Sequence, residues 1–182
     1  MHQRNKIRTA AKELLINNTI ALTRVFPTRV IPWATIELPA IAVYTLTEET
    51  RNDSSETAPR ELIRDLMLVV EAAISAGSTI TPLLDDALDN IAKEIEDVLA
   101  ADFTLKDTCA DCFIGSTEVE IIENGDELIG VITLKFKVEY STYYPETVSG
   151  LDDFTTAQVK YKVSDTLPDA DLAQDFLENI HE

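Results

Sequence analysis

The sequence predicts an α+β fold: a mainly antiparallel sheet with two main helices packed on one face, plus an acidic C-terminal arm. Three observations indicate this class. Apolar residues recur at helical spacing in two segments, residues 5–17 and 81–101. From residue 117, apolar and polar residues alternate with a period of two, before and after an Asn-Gly turn. The order is helix, strands, helix, hairpin and arm, which is typical of helices covering an antiparallel sheet.

The first helix is predicted between Asn5 and Asn17, with one apolar face formed by Ile7, Ala10, Ala11, Leu14 and Leu15. Asn17-Asn18 is a plausible stop because asparagine tolerates the left-handed conformation that ends helices. The next stretch, residues 20–33, contains Pro27 and Pro32 together with β-branched residues. It therefore suits an edge strand or an irregular connection.

Residues 36–47, IELPAIAVYTLT, predict a strand. Proline cannot donate a ladder hydrogen bond, so Pro39 fits the first residues of this strand and Ala40–Leu46 continue it. Residues 48–59, EETRNDSSETAP, have no apolar side chain beyond Ala58 and are rich in turn formers. They predict an exposed, mobile loop.

The segment RELIRDLMLVVEAAI, residues 60–74, is ambiguous by pattern. Its apolar residues form a fair helical stripe, and alternate residues also share one face of a strand. The pattern alone slightly favours a helix.

The second helix is predicted from Thr81 to Ala101. Thr81 is a good N-cap residue, Pro82 suits the first helical position, and acids crowd the first turns. The apolar stripe consists of Leu84, Leu88, Ile91, Ile95 and Val98, widened by Leu83, Ala87 and Leu99.

An antiparallel hairpin is predicted in residues 117–140, with its turn at Asn124-Gly125-Asp126. We therefore expect an α+β domain over residues 1–145. Residues 146–182 are expected to form a C-terminal arm that docks on its own or a neighbouring subunit. Within the arm, residues 157–163 predict a strand and residues 169–180 a short acidic helix.

The charge is large and uneven. The chain carries 15 basic and 33 acidic residues, a net charge of −18. Residues 1–35 have a net charge of +5, so residues 36–182 carry −23. A surface this negative repels nucleic acid, which argues against ordinary DNA or RNA binding. The acidic residues either keep the protein soluble or have a more specific role. They would then bind a basic partner or let a DNA strand pass without adhering.

No residue pattern indicates catalysis. Cys109-Ala110-Asp111-Cys112 is half a zinc site without a second pair, and the two histidines, His2 and His181, are terminal. Asp85, Asp86 and Asp89 project from one helix face and have the spacing to bind a divalent cation, but acids in a first helical turn already stabilise the helix dipole, which is the preferred interpretation. There is no glycine-rich phosphate loop among the five glycines. We expect that the protein is not an enzyme and that it binds no cofactor and no metal.

No stretch of 18 uncharged apolar residues is present, and the N-terminus has no apolar signal-peptide core. The sequence therefore predicts no membrane span and a cytoplasmic origin.

The order of these signals over residues 1–145 resembles the tail terminator proteins of long-tailed phages, also described as tail-completion or minor tail protein U-like proteins. The resemblance is carried by LPAIAVY at residues 38–44, by the segment from Arg60 to Glu71, and by the helix DDALDNIAKEIEDVL at residues 85–99. The strand at residues 132–140 closes the pattern. The acidic chain beyond Pro145 is longer than the resemblance leads us to expect.

The resemblance implies that the segment equivalent to residues 60–73 is a strand, against the slight helical preference of its pattern. It implies no catalytic residues. It further implies a ring, typically a hexamer, that caps the finished tail tube, ends its elongation and docks to the head. The implied partners are other copies of the chain, the tail tube protein and head-completion or neck proteins. Genomic DNA would pass through without specific binding, and the location would be the virion tail or neck, assembled in the host cytoplasm.

Two groups of residues are expected at subunit or partner contacts. The basic N-terminal segment would pair with acid on the next subunit, and the polar loop would contact the tube or the head. The expected interface residues are Arg4, Arg8, Arg24, Arg29, Glu48, Glu49, Arg51 and Asp53.

Three other functions fit parts of the sequence. Another neck or head-completion protein of the same kind of particle would share the ring and the acidity. An acidic DNA mimic would bind a basic DNA-binding enzyme and form no ring. A metal or redox module would use Cys109 and Cys112.

Overall fold

The computed structural model describes residues 2–33, 36–51, 61–77, 83–124, 127–143, 156–161 and 173–178. In chain order its elements are α1 (Gln3–Leu15), β1 (Val25–Phe26), β2 (Ala40–Arg51), β3 (Glu61–Gly77), α2 (Leu83–Ala101), β4 (Asp111–Asn124), β5 (Glu127–Tyr143), β6 (Thr156–Tyr161) and β7 (Ala173–Glu178). The chain divides into two compact units, Met1–Tyr144 and Pro145–Glu182.

The first unit contains a five-stranded sheet in the order β1-β2-β3-β5-β4. Strands β2, β3, β5 and β4 pair antiparallel, and β1 pairs parallel with β2. Both helices pack on one face of this sheet, where one core cluster joins α1, α2 and the sheet. The predicted α+β class, with a mainly antiparallel sheet and two helices on one face, is confirmed.

Helix α1 begins where the side chain of His2 accepts a hydrogen bond from the backbone N–H of Arg4, at 3.2 Å. It buries Ile7, Ala10, Ala11 and Leu15. The helix ends before Asn17, which has a φ of 62°. The predicted asparagine stop is therefore confirmed, because the left-handed region is one that asparagine tolerates.

Strand β1 is a two-residue edge strand within residues 20–33, as the two prolines of this stretch predict. Strand β2 begins at Ala40, directly after the cis peptide bond between Leu38 and Pro39. It continues to Arg51, so the prediction of a loop beginning at residue 48 is wrong for residues 48–51. These polar residues pair with β3 from Glu48↔Leu66 to Arg51↔Ile63, and their side chains join polar networks instead of a core.

The slight helical preference for residues 60–74 is wrong, and the strand implied by the resemblance is confirmed. β3 is a 17-residue strand between β2 and β5. Leu66, Leu68 and Val70 are buried toward the helices, and Val69 and Ala73 are buried although they alternate with that set. A strand covered on both faces has a nearly continuous apolar sequence, in which a helical stripe can always be found.

Helix α2 confirms the second helical pattern from Leu83 onward, and Thr81 and Pro82 lie outside the described residues. Leu84, Leu88, Ile91, Ile95 and Leu99 are buried, and Val98 is partly buried. After α2 the chain makes a left-handed turn: Leu105, Lys106 and Asp107 have φ values of 48°, 57° and 58°.

The hairpin is confirmed and is longer than predicted, because β4 already begins at Asp111. Asn124 pairs with Glu127, so two residues connect the strands, and these two lie outside the described residues. A second, small cluster lies away from the main core, where Trp33, Leu38 and Ile122 pack against buried Ala73, Ile129 and Val131.

The second unit contains a two-stranded antiparallel sheet of β6 and β7. Strand β6 confirms the strand predicted at residues 157–163 as far as Tyr161. The helix predicted at residues 169–180 is wrong where the chain is described, since Ala173–Glu178 form strand β7. A helix of about 12 residues is marginal by itself, whereas pairing with β6 satisfies the backbone across the ladder.

Candidate interaction surfaces

The charged residues expected at interfaces occupy three places on the first unit. Arg4 and Arg8 lie on α1, and Arg24 and Arg29 flank β1. Glu48, Glu49 and Arg51 lie among the last four residues of β2. Asp53 lies outside the described residues. The structure thus brings together some of these residues and separates others.

Arg4 and Glu48 meet in a polar network at the end of the sheet under α1. The Glu48 carboxylate lies 3.5 Å from Nε of Arg4 and 3.4 Å from Nη1 of Arg64. It also accepts a hydrogen bond from the hydroxyl of Tyr140, at 2.7 Å. With 13% of its side chain exposed, Glu48 faces inward and connects α1, β2, β3 and β5. Glu48 therefore stabilises the fold of the chain itself.

The pKa of the Tyr140 hydroxyl is raised, in part by this network. Burial is the largest cause that raises the pKa of Tyr140, followed by the hydrogen bond to Glu48 and the charge of Glu48. Arg64 and Arg4 act in the opposite direction. The phenol consequently stays protonated and keeps donating to the carboxylate.

Arg64 extends the network along the sheet. Its Nη1 donates to the Thr50 hydroxyl at 2.7 Å, and its Nε donates to the Thr142 hydroxyl at 3.3 Å. Arg8 lies apart from it: Nη2 donates to the Asn5 side chain at 3.1 Å, while Nε is buried and has no hydrogen-bond partner within the described chain.

Arg51 occupies the other side of the sheet. Its guanidinium donates to the carboxylates of Asp65 and Glu139, which come from β3 and β5. The hydrogen bond to Asp65 is the main reason why the pKa of Arg51 is raised. All three side chains are exposed, so the ion pairs contribute little to stability. Together with Glu49, Met67 and Phe113 they line an open depression of about 420 Å³.

Arg24 and Arg29 lie at the β1 edge and make different contacts. Nε of Arg24 donates to the carbonyl of Pro39 at 2.7 Å, and its guanidinium lies 3.5 Å from Glu37. The Arg29 guanidinium lies 5.0 Å from the centre of the Tyr44 ring and donates to the carbonyl of Thr45 at 3.2 Å. Arg29 has no carboxylate partner among the residues that the structure describes.

The opposite edge of the sheet carries an exposed apolar row that the sequence pattern does not predict. Strand β4 exposes four large apolar side chains, Phe113, Ile114, Val119 and Ile121. Ile114, Val119 and Ile121 are opposite Phe136, Ile132 and Gly130 of β5, so they continue the core-facing side of the sheet beyond the area that the helices cover. Alternation in the sequence assigns them to a buried face, and only the helix positions show that they are exposed.

The two cysteines lie near one another in sequence at the start of β4, and Cys112 is buried in the main core. Burial raises the pKa of both thiols to about 12. A thiol with so high a pKa is a poor nucleophile at neutral pH. Within the described ranges, no group of three or more His, Cys, Asp or Glu residues has the arrangement of a metal site.

Over the described part of the chain, neither helix has the length and apolar character that crossing a membrane requires.

No protein-family model matches the sequence, and no curated protein matches it. Among solved structures, the chain is similar to a chain of the virion of native gene transfer agent (GTA) particle. The similarity covers 74% of this chain and 94% of that chain, with 13% sequence identity and a TM-score of 0.39.

Proposed function

We propose that this protein is a structural virion protein, the tail terminator of a long-tailed phage. It forms a ring, hexameric as the resemblance implies, that caps the tail tube, ends its elongation and joins the tail to the head. Its partners are other copies of the same chain, the tail tube protein and the head-completion or neck proteins.

The observation that supports this proposal best is strand β3. Periodicity alone slightly favours a helix over residues 60–74, whereas the resemblance to tail terminators requires a strand there. The segment is a 17-residue strand at the centre of the sheet. Over residues 60–74 the periodicity and the resemblance predict different elements, and the strand agrees with the resemblance.

The charge distribution supports the same role. Residues 36–182 carry a net charge of −23, and six exposed or half-buried acids lie on α2, namely Asp85, Asp86, Asp89, Glu94, Glu96 and Asp97. A conduit for DNA has to repel the phosphate backbone so that the genome slides without adhering. We therefore expect the ring to pass DNA without binding it specifically.

The test is electron microscopy of lysates of the encoding phage with this gene interrupted. We expect overlong tails, separate from filled heads, because tube growth would lack its stop and the joint would be missing. A plasmid copy of the intact gene serves as the control and should restore normal virions.

Two other results would contradict the proposal in different ways. Tails of normal length that lie separate from heads would assign the protein to head completion. Intact virions would exclude both roles and favour an acidic inhibitor that acts outside the particle.

A further inference from the structure

We infer that opposite edges of the five-stranded sheet bind each other, head to tail, between neighbouring copies of this chain in solution. One edge is strand β4, and the other is the segment of residues 22–30 around β1, here named the β1 edge. The inference rests on the proposed ring and supplies its contacting faces.

Strand β4 has an open backbone edge, because among the described strands it pairs only with β5. A bulge at Gly115 interrupts it near its beginning, and the pairing then continues without a shift from Ser116 to Asn124. Proteins usually protect such edges by shortness, lysine or proline. The 14 residues of β4 contain neither lysine nor proline; the acids and the bulge of β4 disfavour a second acidic strand, and they leave the regular edge from Ser116 to Asn124 open to a basic partner.

The apolar side chains of β4 point to a protein partner. Val119 and Ile121 are each 54% exposed, although Ile132, the neighbour of Val119 on β5, is only 1% exposed. The apolar face of the sheet therefore extends one strand beyond its helices. Ile114 adds to the row, and contiguous apolar surface of this kind marks interaction sites.

The β1 edge, at the opposite end of the strand order from β4, offers a matching surface. Val30 is 82% exposed and Leu22 is 53% exposed. Between residues 14 and 36 the sequence contains Arg24 and Arg29 and no acid, and Arg24 pairs with Glu37, so Arg29 carries the positive charge that no carboxylate meets within the described residues. Arg29 is exposed, and its charge is met by a ring face and a backbone carbonyl instead of a carboxylate.

Charge selects the occupant of the β4 edge. The strand carries four acids, Asp111, Glu118, Glu120 and Glu123, and no base. Two β4 edges would repel each other, because like charges on neighbouring strands are unfavourable. The basic β1 edge of another copy is attractive instead.

The position of the two edges determines the symmetry of the contact. They are the first and last strands of one sheet, so they cannot meet within one subunit. A contact between two unlike faces is heterologous, and repeated heterologous contacts close into a ring when the rotation allows it. A symmetric dimer in which two β4 strands pair edge to edge would leave the β1 edge uncovered.

Disulfide cross-linking of the full-length chain tests the inference. The double variant Val30→Cys/Val119→Cys should yield a ladder of cross-linked oligomers after mild oxidation. A mixture of the two single variants should yield mixed dimers, and Val119→Cys alone should remain uncross-linked. The unaltered chain shows the background from Cys109 and Cys112, and Val30→Cys/Asp97→Cys places the second thiol on the exposed face of α2 as a matched control.

The results that overturn the inference are distinct. Dimers formed by Val119→Cys alone would show that β4 pairs with itself. Equal ladders from the control pair would show random collision. Absence of cross-links from the double variant, whether sedimentation finds oligomers or monomers, would show that these edges do not bind each other.

Charge reversal gives a second readout that does not depend on thiols. Glu120→Lys and Arg29→Glu should each weaken self-association by at least about tenfold, because each places like charges across the contact. The combined variant should recover most of the loss, whereas Asp97→Lys should have little effect. Failure of the combined variant to recover would contradict the pairing of these edges.

The proposed function can fail separately from this inference. A ladder from the double variant together with intact virions after gene interruption would keep the head-to-tail contact and reject the tail terminator. Overlong tails without a ladder would keep the function and reject these faces.

Discussion

The Glu48 carboxylate links four elements that are distant along the chain. It lies within 3.5 Å of two arginines, Arg4 on α1 and Arg64 on β3, and accepts a hydrogen bond from Tyr140 on β5. Because only 13% of the Glu48 side chain is exposed, loss of these partners would leave a nearly buried carboxylate without compensation. Glu48, which the sequence assigns to an exposed loop, is thus nearly buried in the folded chain.

We expect Glu48→Gln to lower the free energy of unfolding by about 1–3 kcal/mol, since hydrogen bonds to a charged group are lost in a nearly buried place. Urea unfolding followed by circular dichroism measures this. The pKa of Tyr140 should fall as well, because Glu48 supplies two of the three causes that raise it and the arginines remain. Carbon NMR of the labelled tyrosine ring reads that pKa directly.

The adjacent Glu49→Gln is the matched control, since Glu49 is exposed and should change stability by less than about 0.5 kcal/mol. In the unaltered chain the folded pKa of Tyr140 is raised above the unfolded value of about 10. Its contribution to stability is therefore fully present below about pH 10 and is lost as the pH rises through the folded pKa. Equal effects of the two glutamine variants would contradict the role assigned to Glu48.

At the scale of elements, local chemistry made α1, α2 and the β4–β5 hairpin predictable. Asn17 ends α1 because asparagine tolerates positive φ, and the hairpin closes at the Asn-Gly that predicts it, where Asn124 pairs with Glu127. Strand β3 was not predictable from its period, since burial on both faces removes the alternation. The left-handed turn at Leu105, Lys106 and Asp107 has little sequence signal, because Asp107 alone is of a residue type that is enriched at positive φ.

The candidate interface was predictable only in part. The basic character of residues 1–35 could be read directly, and Arg29 is indeed exposed at a sheet edge. The inward position of Glu48 and the exposed row on β4 depend on where the helices end relative to the sheet. That relation is tertiary and leaves no local pattern.

Gly130 determines how closely α2 approaches β5. A Cβ at this position would lie 2.8 Å from Cδ1 of Leu88 and 3.0 Å from Cδ1 of Leu84, and both leucines are buried. We expect Gly130→Ala to lower the free energy of unfolding by about 1–3 kcal/mol, because the helix has to shift or its leucines have to change rotamer. Chemical denaturation measures the loss.

Ser116→Ala on the exposed part of β4 adds no atoms and should stay within about 0.5 kcal/mol of the unaltered chain. If Gly130→Ala were neutral or stabilising, α2 would pack more loosely than the structure shows. The entropic gain of replacing a glycine would then exceed the packing cost.

At the scale of the whole molecule, the two units differ in what can hold them together. The unit Met1–Tyr144 has a five-stranded sheet, two helices and one main core cluster. The unit Pro145–Glu182 has a two-stranded sheet, which is marginally stable by itself in water. It carries nine acidic and two basic residues, so it also accounts for a large share of the net charge.

We therefore expect a chain that ends at residue 144 to fold by itself, with cooperative unfolding and a midpoint within a few degrees of the full-length value. The isolated peptide of residues 145–182 should be unfolded, because a single strand pair buries too little apolar surface to offset the entropy of ordering it. Amide NMR spectra of both fragments test this: dispersed resonances are expected for the first and collapsed resonances for the second. Loss of cooperative unfolding in the first fragment would mean that its core depends on the C-terminal residues.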